Sequence, residues 1–118
     1  MNRQATVYVK KVPAAVLTQQ GAEGTPGAFS LQYLPEYLAR AGAGAISVRL
    51  PRRSEPFESS TLFPFFESLL PEGEFARQLC REARLDPDDR FGMLLALAGT
   101  ETLGDVTVQR RKETERDA

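Results

Sequence analysis

Any chemistry in this sequence has to be done without histidine, because the 118 residues contain none. That removes the commonest general base, the usual zinc and haem ligand, and every Ser-His-Asp or Cys-His arrangement. The single cysteine, Cys80, excludes an internal disulfide and leaves no thiol set for a structural zinc. Its neighbours Arg77, Arg81 and Arg84 are cations able to depress a thiol pKa. With no resolving cysteine, a packed thiol is the better reading. Asp86, Asp88 and Asp89 are candidate oxygen ligands, yet cation loops place glycine and a distal glutamate in register with such acids. The order Asp86-Pro87-Asp88-Asp89 fits a helix start better: the first aspartate caps, the proline takes the first helical position, and the other acids meet the positive end of the dipole.

Three further constellations are weaker. Ala41-Gly42-Ala43-Gly44-Ala45 is the nearest thing to a phosphate loop, but no lysine accompanies it and a strand rather than a helix is expected to follow. It reads as a turn. Glu72 and Glu74 have no partner that would set up acid–base work, and solvated acids at a helix start are the ordinary case. Arg49, Arg52 and Arg53 form a small basic cluster beside Pro51, able to meet a phosphate or an acidic partner, and otherwise a solvated strand end. No catalytic, cofactor-binding or metal-ligating residue is assigned, and the chain is read as a non-enzyme.

The elements that must position these groups change character halfway along. Ala5 to Lys10 is β-branched and aromatic and predicts a strand, with Val16-Leu17-Thr18 pairing back after a turn around Pro13. Gly21 to Gly27 is a loop. Phe29, Leu31 and Tyr33 alternate with polar residues, and so do Ile46, Val48 and Leu50, which predicts two more strands, the second ended by Pro51. Pro35 to Arg40 between them is a short helical turn or bridge, and Arg52 to Glu58 a polar loop. From Leu62 the pattern becomes helical, with Leu62, Phe66, Leu69 and Leu70 on one face, Ser60 or Thr61 as the cap, and Pro71 as the stop. A second helix is expected from Gly73 or Glu74 to Arg84, carrying Phe75 and Leu79 four residues apart. The third, begun by Asp86, contains Phe91, Met93, Leu94, Leu95 and Leu97, ends at Gly99, and is apolar nearly all round, hence buried. Val106-Thr107-Val108 closes the sheet, and the polar residues from Gln109 to Ala118 read as a tail. The expected fold class is therefore α+β: a small, mainly antiparallel sheet with three helices packed on one face.

Composition sets the remaining bounds. With 42% hydrophobic and 26% charged residues, the chain predicts one ordinary domain with one core. Fifteen basic against sixteen acidic residues give a net charge of −1, which argues against direct nucleic-acid binding. No apolar run approaches the ~18–20 residues needed to span a bilayer, and Met1 to Thr6 lacks a signal-peptide layout. A cytoplasmic protein without a membrane role is expected. The dense cluster Leu62, Phe63, Phe65, Phe66, Leu69 and Leu70 exceeds what one helix face can bury, and it is the residue-level hint of a protein that works by binding.

Three segments carry a resemblance. Ile46-Ser47-Val48-Arg49-Leu50-Pro51, Phe65-Phe66-Glu67-Ser68-Leu69-Leu70-Pro71-Glu72-Gly73 and Gly104-Asp105-Val106-Thr107-Val108 look like the N-terminal domain of HipA-type serine/threonine kinases. Phe29 to Tyr33, with Pro35-Glu36-Tyr37-Leu38, is similar to it as well. The resemblance covers about residues 5–109 and implies a HipA N-terminal-like domain at 1–109 with a polar tail at 110–118. In full-length HipA toxins this domain precedes a kinase core, and none of the kinase motifs is present here. The arrangement resembles the tripartite HipBST system, in which HipS equals the detached N-terminal domain, HipT is the kinase toxin and HipB the helix-turn-helix DNA-binding partner. That resemblance implies an antitoxin that docks on and inhibits a HipT-like kinase, with a HipB-like protein as a further partner. The rival reading is a non-inhibitory scaffold or truncated HipA remnant. Leu70, Pro71, Glu72, Gly73, Glu74 and Phe75 are the candidate contacts, because a Pro-Gly corner between helices projects outward. Relatives often place a bulky aromatic directly after Pro-Glu-Gly; here Glu74 intervenes before Phe75.

Overall fold

In the computed structural model, residues 3–96 and 106–110 are described. The strands are β1 (Arg3–Val9), β2 (Val12–Gln19), β3 (Phe29–Tyr33), β4 (Phe57–Ser59) and β5 (Val106–Arg110), and the helices are α1 (Pro35–Leu38), α2 (Pro64–Glu67), α3 (Gly73–Ala83) and α4 (Arg90–Ala96). All strand pairs are antiparallel, in the order β4-β3-β2-β1-β5. The expected α+β class is the observed one.

Register explains the core. Ala5 opposes Leu17, Val7 opposes Ala15, Leu17 opposes Leu31, and Val7 opposes Val108, so every one of these side chains lies on the same face. All are buried. Helix α4 packs onto that face through Phe91, whose ring meets Phe29 of β3 edge-on, with centroids 6.2 Å apart. Phe91, Gly92, Met93, Leu94 and Leu95 are all buried, as the all-round apolar pattern predicts. The residues Leu97 and Gly99, at the expected end of this helix, lie outside the described residues.

Several local expectations need correction. The first hairpin turns at Lys10 and Lys11, both at positive φ (50° and 68°), rather than around Pro13. Two consecutive left-handed residues make the tight turn whose twist matches the flanking strands. Pro13 sits inside β2 opposite Tyr8, where the register shifts, and such an irregularity tolerates a residue with no N–H to donate. Residues 46–50 form no strand. Ile46 and Leu50 are buried, but they flank a tight turn in which Ser47 bridges Leu50, and Val48 at its tip is 96% exposed. The expected loop at Arg52–Glu58 ends instead in the edge strand β4, where Phe57 opposes Leu31. The first of the three expected helices shrinks to α2, a single turn capped by Phe63 with no side-chain bond from Ser60 or Thr61. Beyond it, Leu69 and Leu70 donate to Phe66 and Glu67 three residues back, which tightens the chain before Pro71. Strand β5 runs on through Gln109 and Arg110, which oppose Thr6 and Ala5.

Helix α4 begins at Arg90, three residues later than expected, because Asp89 and not Asp86 is its cap. The Gly92 N–H donates to Asp89 Oδ1 (3.0 Å) and the Met93 N–H to the Asp89 carbonyl (3.0 Å). Asp86 organises the preceding turn, accepting the Asp88 N–H at Oδ1 (2.8 Å).

Candidate partner-docking site

The six sequence-selected residues span the corner between α2 and α3, and the structure divides them by role. Leu70 is buried and Pro71 half-buried, so together they anchor the corner. Glu72, in an extended conformation (φ −128°, ψ 167°), leads into α3 without a side-chain cap bond. Gly73 has φ 62°, a left-handed value that a side chain would resist, and it redirects the chain into the helix. Glu74 points outward and pairs with Arg77 (3.0 Å) and Arg81 (3.6 Å) along the exposed face of α3.

Phe75 is the informative member. The four-residue spacing of Phe75 and Leu79 suggested a shared apolar stripe, yet Phe75 is 65% exposed, while Leu79 is half-buried and Cys80 buried. The stripe that α3 turns inward is Ala76, Leu79 and Cys80, one position removed, because the helix starts at Gly73 and packs against α4 through that side. The other six of the chain's seven phenylalanines are buried or half-buried.

Beside the corner runs a cleft of about 510 Å³. Pro71, Ala76, Cys80 and Met93 supply its apolar lining, and the Glu67–Arg90 ion pair (3.2 Å) ties α2 to α4 across it. Cys80 is a buried, free thiol in this wall. At the start of α4, Asp89 accepts two bonds from the Arg3 guanidinium (2.7 and 3.0 Å) and so links that helix to β1. Those bonds, helped by the Gly92 N–H and opposed by partial burial, hold the Asp89 carboxyl below the usual carboxylate range.

The other constellations are structural. Arg52 donates to the carbonyls of Ala43 (2.5 Å), Leu38 (2.9 Å) and Arg40 (3.5 Å), and Tyr37 donates to the Gly44 carbonyl. The Ala41–Ala45 turn is thus held by its carbonyls from within. Arg53 lies over the Phe57 ring, 3.7 Å from its centroid, so it is partly spent on the edge strand. Of the basic cluster, Arg49 is left exposed on its turn. Among the described residues there is no group of three or more His, Cys, Asp or Glu side chains placed to hold a metal, and no helix long and apolar enough to cross a membrane.

The family described as HipA N-terminal domain matches residues 5–109. The chain belongs to that family. A solved structure of the N-terminal domain of HipA toxin is similar over 94% of each chain, with a TM-score of 0.65 and 26% identity. A protein of Haemophilus influenzae strain Rd, described as uncharacterised, is 36% identical over 85 residues, which is 72% of this chain and 76% of that protein. Membership in the HipA N-terminal domain family puts the chain in a toxin–antitoxin context.

Proposed function

We propose that this HipA N-terminal-type domain is an antitoxin: it docks on a HipT-like serine/threonine kinase and inhibits it by occupying the surface that the fused domain of a HipA protein covers. It has no reaction of its own, and it works in the cytoplasm, with a HipB-like DNA-binding protein as the further partner of the assembly. The docking element is the corner Leu70 to Phe75, carried by the domain whose sheet closes with β5. The observation that carries this reading is Phe75, a large aromatic left 65% exposed on the first turn of α3, next to a corner fixed by Pro71 and Gly73. An aromatic presented this way is the residue type that dominates protein–protein binding energy. A remnant without inhibitory activity has no use for it.

The test is co-expression and titration. The chain should relieve growth arrest by its cognate HipT-like kinase and form a complex with the purified kinase at micromolar concentration. Failure to associate sinks the proposal. Association without relief of toxicity would favour the scaffold reading.

A further inference from the structure

The second large apolar side chain left exposed among the described residues is Val48, at 96%. Valine is a poor turn residue: turn tips ordinarily carry Gly, Asn, Asp, Ser or Pro. A side chain 96% exposed adds little to the fold, yet the turn beneath it is held by several hydrogen bonds. The Tyr33 hydroxyl, on a side chain only 2% exposed, reaches both legs at once, accepting the Ile46 N–H (2.9 Å) and donating to the Leu50 carbonyl. Within the turn the Leu50 N–H donates to the Ser47 carbonyl (3.0 Å) and the Arg49 N–H to Ser47 Oγ (3.3 Å). Tyr33 is itself set by stacking on Tyr37 (centroids 6.1 Å, planes 19° apart), and Tyr37 clasps the preceding loop through Gly44. Ile46 and Leu50 plug the two legs into the core. A largely buried network therefore fixes a tip whose own side chain is left almost wholly to solvent.

We infer that the Ser47–Arg49 turn is a second, pre-organised docking point on the kinase partner, with Val48 entering an apolar depression whose rim carries carboxylates. The acidic rim follows from Arg49, exposed beside Val48 and free of the carbonyl and ring contacts that occupy Arg52 and Arg53. Rigidity is what makes so small an anchor effective, because a turn already held in its bound shape loses little freedom on docking. This inference rests on the antitoxin reading above, and it divides the contact between the α2–α3 corner and this turn.

The experiment titrates the purified cognate kinase with the full chain and with the variants Val48→Asp, Val48→Ser and Arg49→Glu, alongside thermal unfolding of each. Val48→Asp should weaken the complex about tenfold or more, with Val48→Ser and Arg49→Glu weakening it less and all three melting with the parent. Any loss from Val48→Asp smaller than fivefold overturns the second docking point while leaving the antitoxin reading standing. If the unaltered chain does not bind the kinase, the antitoxin reading itself fails. Tyr33→Phe supplies an independent arm. It should cost affinity in the parent and much less in the Val48→Asp background; equal costs in both would show that Tyr33 acts on the fold alone, and would overturn the role of the clasp.

Discussion

Phe75→Ala separates the proposed binding from folding, and the exposure of Phe75 fixes the expected cost to the fold. Full burial of a phenylalanine is worth about 1.5–3 kcal/mol. Phe75 is 65% exposed, so only about a third of that, roughly 0.5–1 kcal/mol, is at stake in the fold. Alanine returns about 0.5 kcal/mol through its higher helix propensity on α3. The net change in stability should therefore stay within about 0.5 kcal/mol, a Tm shift of a few degrees for a domain of this size. At the interface the balance is reversed. An aromatic anchor buried at the centre of a complex costs about 2–4 kcal/mol when truncated, or roughly 30- to 1,000-fold in Kd. Isothermal titration against the kinase and scanning calorimetry of the free chain read the two quantities separately. A Kd within about threefold of the parent, or a large fall in Tm with proportionate loss of affinity, would refute the reasoning, the second by making Phe75 a core residue.

The remaining predictions concern the cap of α4 and the glycine that opens α3. Asp89→Ala removes a helix cap and both bonds from Arg3, and should cost about 2–3 kcal/mol in chemical denaturation, whereas Asp89→Asn keeps the cap and should cost about 1 kcal/mol; equal losses would show the cap to be worthless. Because the folded carboxyl of Asp89 lies below its unfolded value, its contribution is present above about pH 4 and is lost as pH falls through the depressed folded pKa. Asp89→Asn should flatten that acid limb of the stability curve. Gly92→Ala should destabilise α4 by about 1–2 kcal/mol, against its helix propensity, since a Cβ there would stand 2.3 Å from Asp89 Oδ2 and push the cap aside; unchanged stability would mean that the carboxylate swings clear without loss. Gly73→Ala meets no neighbour, yet must hold φ 62°, so it should cost about 1–2 kcal/mol from backbone strain alone and weaken kinase binding by re-aiming Phe75. A kinase affinity equal to the parent's would detach the corner geometry from docking.

How far the sequence could be read is clearest where it went astray. The alternation Ile46, Val48, Leu50 is the signature of a strand, but periodicity counts residues and not direction. A turn that buries its first and last members satisfies the same pattern while sending the middle one to solvent. The Asp-Pro-Asp-Asp run announced a helix start correctly, but the capping aspartate is Asp89 and not the expected Asp86. Arg3, eighty-six positions away, bonds Asp89, the aspartate that caps. Phe75 and Leu79 matched a helical stripe, and the corner at Gly73 determined which side of α3 faced inward. The chain reversal at Pro71 and Gly73 was legible because both residue types restrict or release the backbone locally.

Sequence by itself determined the absence of histidine chemistry, the α+β order of elements, the buried character of α4, the alternating face of Phe29, Leu31 and Tyr33, and the family resemblance. These depend on residue type and on period, which are local properties. Only the tertiary structure decided that Phe75 and Val48 face solvent, that Tyr33 ties the legs of the Val48 turn, and that Arg52 is a clasp for carbonyls and not a free cation. Exposure and hydrogen-bond partners depend on what other segments of chain leave uncovered, and that is settled when the sheet, the corner and the helices pack together.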